Sequence, residues 1–436
     1  MTQHTDVVVV GGGQAGLAAG YHLRRQGLDF VILDAEAAPG GSWQHMWDSL
    51  HLFSPAEHSS LPGRLMPAQP GETYPGAGHV VDYLADYEKR YDLPVQRGTR
   101  VDAVRRDADR LLVEADSGIW RARAVISATG SWSRPFLPAV PGRSVFTGRH
   151  LHTVNYRCPA DFAGQHVIVV GGGNSGAQIA ADLALDGHVE VTWVTQRPPR
   201  FLPDDIDGRA LFDVATARRR ALDAGRSDTG GVASLGDIVA VPPVRAARDA
   251  GLLQAKPMFA RFTADGVQWA DGSHTGADAV VWCTGFRPAL SHLAPLNLRG
   301  ARGHIPTDGT RALGEPRLHL IGYGDWTVRP PRPSSAWAAR PGTRYARSPG
   351  SCERGWCGRP RPRGAGRPGT CGYAALTMVL PQQHVGFCWP PQVAGAPLVT
   401  VSSHPQFSSG QRYTSPSRNG IALTSLFAFR FRRERR

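Results

Sequence analysis

Short apolar runs punctuated by glycine recur along residues 1 to 327, and their order predicts the elements. Asp6 to Val10 is a short apolar strand; a glycine-rich turn follows; Leu17 to Arg25 reads as a helix; Phe30 to Leu33 is a second strand ending at Asp34. The same order returns later as strand His166 to Val170, glycine turn, helix Ala177 to Leu185 and strand Val189 to Val194. Strand, turn, helix and strand in that sequence predict a βαβ unit, here present twice. Ala124 to Ser127 and Leu318 to Ile321 predict further short strands, and the charged, Gly-rich stretch from Ala217 to Gly236 predicts a helix and loop. Within it, Arg218-Arg-Arg220 reads as a solvated face rather than a binding patch.

Both glycine turns have the form that cradles a dinucleotide. In Gly11-Gly-Gly13-Gln-Ala-Gly16, and 160 residues on in Gly171-Gly-Gly173-Asn-Ser-Gly176, the first glycine makes a tight turn. Gly13 and Gly173 let the main chain approach a pyrophosphate, and Gly16 and Gly176 let helix pack on strand while the helix N-terminus attracts the phosphates. One such turn is weak evidence, but two, each after a Val-rich strand, imply two nucleotides on one chain. Contacts to them are expected at Gly11, Gly13, Gln14, Ala15, Gly16, Gly171, Gly173, Asn174, Ser175 and Gly176. Asp34, 18 residues past Gly16, is placed to accept hydrogen bonds from an adenosine ribose. The corresponding strand of the second unit ends in Thr195-Gln196-Arg197, with Arg200 beyond it. Arginine pairs with a 2′-phosphate that a carboxylate would repel, so NADPH is read over NADH, unless Arg197 and Arg200 are solvated loop charges.

Charge changes the picture only at one end. The formal net charge is +13, but residues 328 to 436 hold 17 Arg, no Lys, no Asp and two Glu, a net of +15 that leaves −2 on residues 1 to 327. The same stretch holds 14 of the prolines and four of the six cysteines, and lacks helical or strand periodicity until Ile421 to Phe431. Three readings compete: a basic arm, a disordered linker, and an out-of-frame translation of GC-rich DNA, which is favoured. Back-translating Val328 to Arg340 with permitted codons and shifting the frame gives Pro-Ala-Ser-Ala-Thr-Leu-Ile-Gly-Val-Gly-Arg-Pro, a plausible helix. At 436 residues, 41% of them hydrophobic, the whole chain is long enough for two to three domains with real cores. No leader pattern precedes the first strand and no apolar run reaches membrane-spanning length, so a cytoplasmic protein with no membrane and no nucleic-acid partner is expected. Cys158 and Cys283 form no CxxC, which weighs against a dithiol enzyme; Cys352 and Cys357 share a C-x4-C spacing but lie in the anomalous tail. No metal site is expected.

The run Phe146-Thr-Gly148-Arg-His-Leu-His152-Thr-Val-Asn-Tyr156 fits FxGxxxHxxx(Y/F) at every fixed position and lies just before the second glycine turn. It reads as a linker with a buried aromatic anchor, a turn glycine and a polar ring near a domain junction. Gly40-Gly41-Ser42-Trp43 matches a GGxW motif, Ala128-Thr129-Gly130 follows the strand Ala124 to Ser127, and Asp278-Ala-Val-Val-Trp-Cys-Thr284-Gly285-Phe286 precedes Pro288. Leu318 to Ile321 runs into Gly322-Tyr-Gly324-Asp325. Taken together, residues 1 to about 327 resemble the bacterial flavin-containing monooxygenases, the class B flavoprotein monooxygenases. Within them, Trp47-Asp-Ser-Leu50, Ser59-Ser-Leu-Pro-Gly63, Phe201-Leu-Pro-Asp-Asp205 and Gly322-Tyr-Gly-Asp-Trp326 resemble the enzymes found with arsenic-resistance genes. The likeness ends two residues after Asp325, where Pro330, Pro331 and Pro333 replace a flavin-facing helix.

The resemblance implies an α/β fold of two dinucleotide-binding, Rossmann-like domains. An FAD domain of residues 1–145 and 286–327 holds an inserted NADPH domain of residues 146–285, and residues 328–436 are a disordered or out-of-frame basic tail. Beside Arg197, read above from its place after the second strand, it adds Gly41, Ser42, Trp43, Ala128, Thr129, Gly130, Thr284, Gly285 and Asp325 to the cofactor contacts. It implies hydride transfer from NADPH to FAD, then oxygenation of a small soft nucleophile or carbonyl by O2 through a C4a-(hydro)peroxide, chemistry that the cofactor carries. His152 is a candidate catalytic residue, for which a hydrogen-bonded structural part outweighs proton transfer. Eukaryotic-type members carry an Asn near the flavin where this chain has Phe53, which makes the adjacent Ser54 the candidate substitute and leaves an NADPH oxidase open beside the monooxygenase. A flavin disulfide reductase, a nucleic-acid-binding flavoprotein and an inactive frameshifted copy compete with these two, and a homodimer stays open. The substrate pocket is expected at the domain cleft near Trp43, Phe53, Ser54 and Trp132.

Overall fold

The computed structural model describes residues 2–206, 208–209, 213, 238–300 and 303–324. The expectations for Ala217 to Gly236, for Asp325 and for the tail from Val328 lie outside the described residues.

The first unit runs β1 (Thr2–Val10), α1 (Gln14–Arg25), β2 (Phe30–Leu33), α2 (Ala77–Arg90) and β3 (Val95–Gln96). A ribbon follows, of β4 (Val101–Asp107), β5 (Arg110–Ala115) and β6 (Gly118–Ser127). The second unit opens with β7 (Arg149–His152), β8 (His166–Val170), α3 (Asn174–Asp186) and β9 (Glu190–Thr195). It continues with α4 (Pro242–Asp249), β10 (Ala255–Pro257), β11 (Arg261–Phe262), β12 (Gly266–Gln268), β13 (His274–Gly276) and β14 (Ala279–Trp282). The chain then returns as β15 (Thr307–Asp308), β16 (Arg311–Ala312) and β17 (Leu318–Leu320).

Each unit is built on a parallel sheet. The first has the order β17-β6-β1-β2-β3, extended antiparallel by β16 and β15 and by the β4–β5 ribbon; the second is β10-β9-β8-β14-β7. Strands β11 to β13 form a small antiparallel sheet of their own. The valine run of β1 is continuous because both faces of its sheet are covered: Val7 and Val9 enter one core while Val8 and Val10 enter another. In β8, Val167 and Val169 face one core and Ile168 and Val170 the other. Each such side chain at or near zero exposure contributes about 1.5–3 kcal/mol.

Several boundaries differ from the sequence reading, and strand β6 begins at Gly118 rather than Ala124. Strand β1 begins at Thr2 because its polar half pairs with β6, Thr2 opposite Ile119. Helices α1 and α3 begin at Gln14 and Asn174, three residues early, because the last glycine of each turn lies inside the first helical turn. The run Phe146 to Tyr156 is more than a linker: Arg149 to His152 forms the edge strand β7, paired in parallel with β14. Its apolar alternation is weak because this edge strand buries only Leu151 and the polar ring of His152.

The two crossings between units pair with each other. Phe136 N–H donates to Gly285 O at 3.0 Å, Arg287 N–H to Arg134 O at 2.8 Å and Ala289 N–H to Gly130 O at 2.9 Å.

Candidate active site

The first glycine turn opens onto a cleft of about 250 Å³ at the C-terminal ends of β1, β2 and β6. Gly11, Gly13, Gln14 and Ala15 line it, with Asp34, with Gly41, Ser42 and Trp43, and with Ala128, Thr129 and Gly130. Gly11 has φ +104° and a Cβ there would stand 2.6 Å from Ala128 O; a Cβ on Gly16 would stand 1.8 Å from Gly11 O. Gly41, at φ +54°, packs against Gly13, whereas a Cβ on Gly13 would meet only Gly41 Cα, at 3.9 Å. The main chain at Gly13 is therefore bare and open to a phosphate. Helix α1 has neither an acidic residue in its first turn nor a side-chain cap, so its first N–H groups are left for a ligand. Trp43 is pinned by its Nε1–H, which donates to Gln14 Oε1 at 3.0 Å.

Two polar groupings flank this cleft. Asp34, 6% exposed, pairs with Arg97, which also pairs with Glu88. Burial pushes the Asp34 carboxyl up and the Arg97 guanidinium opposes that shift. On the other side, the Tyr323 hydroxyl lies 2.7 Å from both Ser127 Oγ and Thr129 Oγ1 and accepts from Thr129 N–H at 3.1 Å. Ser127 Oγ is also 3.1 Å from His292 Nε2, and Thr129 donates to Ala289 O at 2.6 Å. This buried cluster holds the 128–130 crossing against the returning chain.

The second turn repeats the first in contact detail. Gly171, at φ +148°, would place a Cβ 2.4 Å from Cys283 O, and Gly176 one 2.1 Å from Gly171 O. A Cβ on Gly12 would meet Asp34 Oδ2 at 2.7 Å, and one on the equivalent Gly172 would meet Thr195 Cγ2 at 3.3 Å. The place of the acid is thus taken by a threonine, with Arg197 two residues beyond. Helix α3 begins behind Gly173, again with no acidic first turn and no side-chain cap. Asn174 Oδ1 accepts from Val239 N–H at 2.9 Å. Thr284 donates to Phe136 O at 2.5 Å, and Gly285, at φ +76°, accepts through its carbonyl from Phe136 N–H.

Between the two turns lies a smaller cavity of about 30 Å³, bounded by Trp43, Trp47, Phe53, Trp132 and Phe286 on one side and Asn174, Ser175 and Gln178 on the other. His152 stands beside it, 3% exposed, with its ring edge-on to Phe286 and Nε2 3.0 Å from Gly285 O. Burial lowers its pKa to about 4, so the ring is neutral and Nε2–H is the donor. Ser54 is buried, lies 3.1 Å from Ser59 Oγ and lines neither cavity; Phe53 is the member of that pair that does. Cys158 and Cys283 are free thiols.

A family described as pyridine nucleotide-disulphide oxidoreductase matches residues 8–207. A flavin-containing monooxygenase from Stenotrophomonas maltophilia is 52% identical, with TM-score 0.67 over 74% of this chain and 92% of that one. The chain belongs to the flavin-containing monooxygenases. An uncharacterised CzcO-like oxidoreductase of Geobacillus kaustophilus is 31% identical over 304 residues, 69% of this chain and 86% of its own. A probable indole-3-pyruvate monooxygenase of Arabidopsis thaliana, YUCCA8, is 25% identical over 368 residues, 72% of this chain and 83% of its own. As a family member this flavin-containing monooxygenase is an NADPH-dependent FAD enzyme acting with O2 on a small molecule.

Several residues that shape the site carry no local sequence signal. Arg97 reaches Asp34 from 63 positions away, and Gln178 reaches His51 from 127. Tyr323 lies inside a recognisable motif, but only the fold brings its hydroxyl to Thr129.

Proposed function

We propose that the cleft at Gly11 to Gly16 holds FAD, that the turn at Gly171 to Gly176 holds NADPH, and that both reach the small cavity between them. The observation that carries this is the matched pair of glycine turns whose second strands end differently, in Asp34 and in Thr195 with Arg197 beyond. The carboxylate receives ribose hydroxyls, and the second strand's end, free of acid, admits a 2′-phosphate. Gly41, Ser42, Trp43, Ala128, Thr129 and Gly130 complete the FAD contacts, and Asn174, Ser175, Thr284 and Gly285 the NADPH contacts. The chemistry that bound FAD supplies is acceptance of two electrons from NADPH and activation of O2. Trp43, Trp47, Phe53, Trp132 and Phe286 exclude water from the place where the two meet. His152 is a positioning residue that holds the Gly285 crossing through a neutral imidazole. Substrates are small soft nucleophiles or carbonyls, arsenic compounds among the candidates, in the cytoplasm.

The visible absorption of purified full-length protein, before and after NADPH in air-free buffer, tests the assignment. A flavin spectrum that bleaches supports it; a colourless protein, or a coloured one that NADPH leaves unchanged, overturns it. A second reading is favoured by the apolar Phe53 at the cavity and the Ser54 hydroxyl turned to Ser59. With an apolar side chain at position 53, the enzyme acts as an oxidase, in which NADPH, H⁺ and O2 give NADP⁺ and H2O2. Peroxide matching NADPH consumption at saturating substrate decides for that reading.

A further inference from the structure

Gln178 lies one turn into α3, four residues after Asn174, and is 7% exposed. Its carboxamide makes two hydrogen bonds to one residue of the other unit: Oε1 accepts from His51 N–H at 3.3 Å and Nε2 donates to His51 O at 3.1 Å. A carboxamide presents donor and acceptor in one plane, so it can bond both the main-chain N–H and the C=O of one residue. His51 belongs to the stretch that brings Met46, Trp47, Leu50 and Phe53 to the small cavity, while α3 brings Asn174, Ser175 and Gln178 itself. The inserted unit grips the same stretch at its ends, Arg157 donating to His45 O at 2.9 Å and Gly208 N–H to Phe53 O at 2.8 Å. Between those grips, Gln178 bonds directly across the cavity.

We infer that Gln178 is a positioning residue that sets the gap between the flavin side and the nicotinamide side of the cavity, and thereby the rate of hydride transfer and the share of electrons lost as peroxide. The inference rests on the nucleotide assignment proposed above. It gains weight because the two hydrogen bonds tie main chain rather than a mobile side chain, so the loop carrying Phe53 cannot shift without breaking them.

The test uses full-length Gln178→Leu and Gln178→Glu beside the wild type. Hydrogen exchange of the segment 48–53 is read without added nucleotide, and the rate of anaerobic bleaching and the peroxide formed per NADPH are read with it. Gln178→Leu is expected to lose protection of the His51 amide and to bleach about tenfold more slowly at saturating NADPH, with half-saturation within about twofold. Its peroxide share rises. Gln178→Glu keeps the acceptor for His51 N–H, so the amide stays protected while the bleaching rate falls between the other two. A Gln178→Leu protein with a protected His51 amide, or one that bleaches at the wild-type rate, overturns the inference. Wild-type protein that holds FAD but is not bleached overturns the nucleotide assignment and this role with it, whereas the exchange experiment judges the clamp alone.

Discussion

Gly16→Ala and Gly176→Ala form a matched pair that separates the two nucleotide sites. The new Cβ would stand 1.8 Å from Gly11 O in the first and 2.1 Å from Gly171 O in the second, where real Cβ contacts do not fall below 3.0 Å. The obstacle in each is main chain, which cannot swing aside, so the head of the helix must withdraw by about 1.2 Å or about 0.9 Å, the shortfall from 3.0 Å. Overpacking of this kind costs about 1–3 kcal/mol of stability. Withdrawal also carries the first N–H groups of α1 or α3 away from the phosphates they face in the proposed complex. Two charge-assisted hydrogen bonds at about 1.5–3 kcal/mol each make the loss about 3–6 kcal/mol, roughly a hundred- to ten-thousand-fold in affinity. Flavin per protein, from the visible spectrum, reports the first site, and the NADPH concentration giving half-maximal anaerobic bleaching reports the second. Gly16→Ala is expected to purify with little FAD, and Gly176→Ala to keep FAD but need far more NADPH. A Gly16→Ala protein with wild-type flavin content, or a Gly176→Ala protein that loses flavin yet keeps its NADPH response, refutes the reasoning.

Three further outcomes follow from buried polar groups. Tyr323→Phe removes the acceptor of Thr129 N–H and is expected to cost about 1–3 kcal/mol, read as a lower urea midpoint at unchanged slope; an unchanged midpoint counts against the cluster's role. Arg97→Met leaves the buried Asp34 carboxylate without its cation and is expected to cost about 3–5 kcal/mol, so a variant as stable as wild type would show that the pair contributes little. Burial lowers the pKa of His22, His152, His292 and His319 from 6.5 to about 4. Below pH 6.5 the unfolded chain takes up protons that these folded histidines refuse. Stability is therefore full above that pH, falls as pH drops toward 4 by up to about 1.4 kcal/mol per pH unit per histidine, and levels off below it. Urea midpoints measured across that range check the sign, and a flat profile contradicts it.

Local pattern carries much of this. The valine runs, the glycine positions and Asp34 are legible because a βαβ nucleotide site is built from residues close in sequence, and each glycine answers to a neighbour a few positions away or on an adjacent strand. The Phe146 to Tyr156 run is legible as a motif but not as strand β7, because its pairing partner β14 lies about 130 residues on and an edge strand shows weak alternation. Ser54 has the chemistry of a polar group for the cavity, and the backbone turns it to Ser59 instead, leaving Phe53 as the lining residue.

The amino-acid order alone determined that two nucleotide-binding units occur in one chain, where their first strands and helices lie and which turn glycines accept no side chain, since these depend on period, chirality and contacts within one supersecondary unit. Only the tertiary structure decided that Arg97 faces Asp34, that Tyr323 holds Thr129 and that Gln178 grips the backbone of His51. Those pairs join residues 63, 194 and 127 positions apart, and nothing in their local sequence records a meeting that chain folding alone brings about.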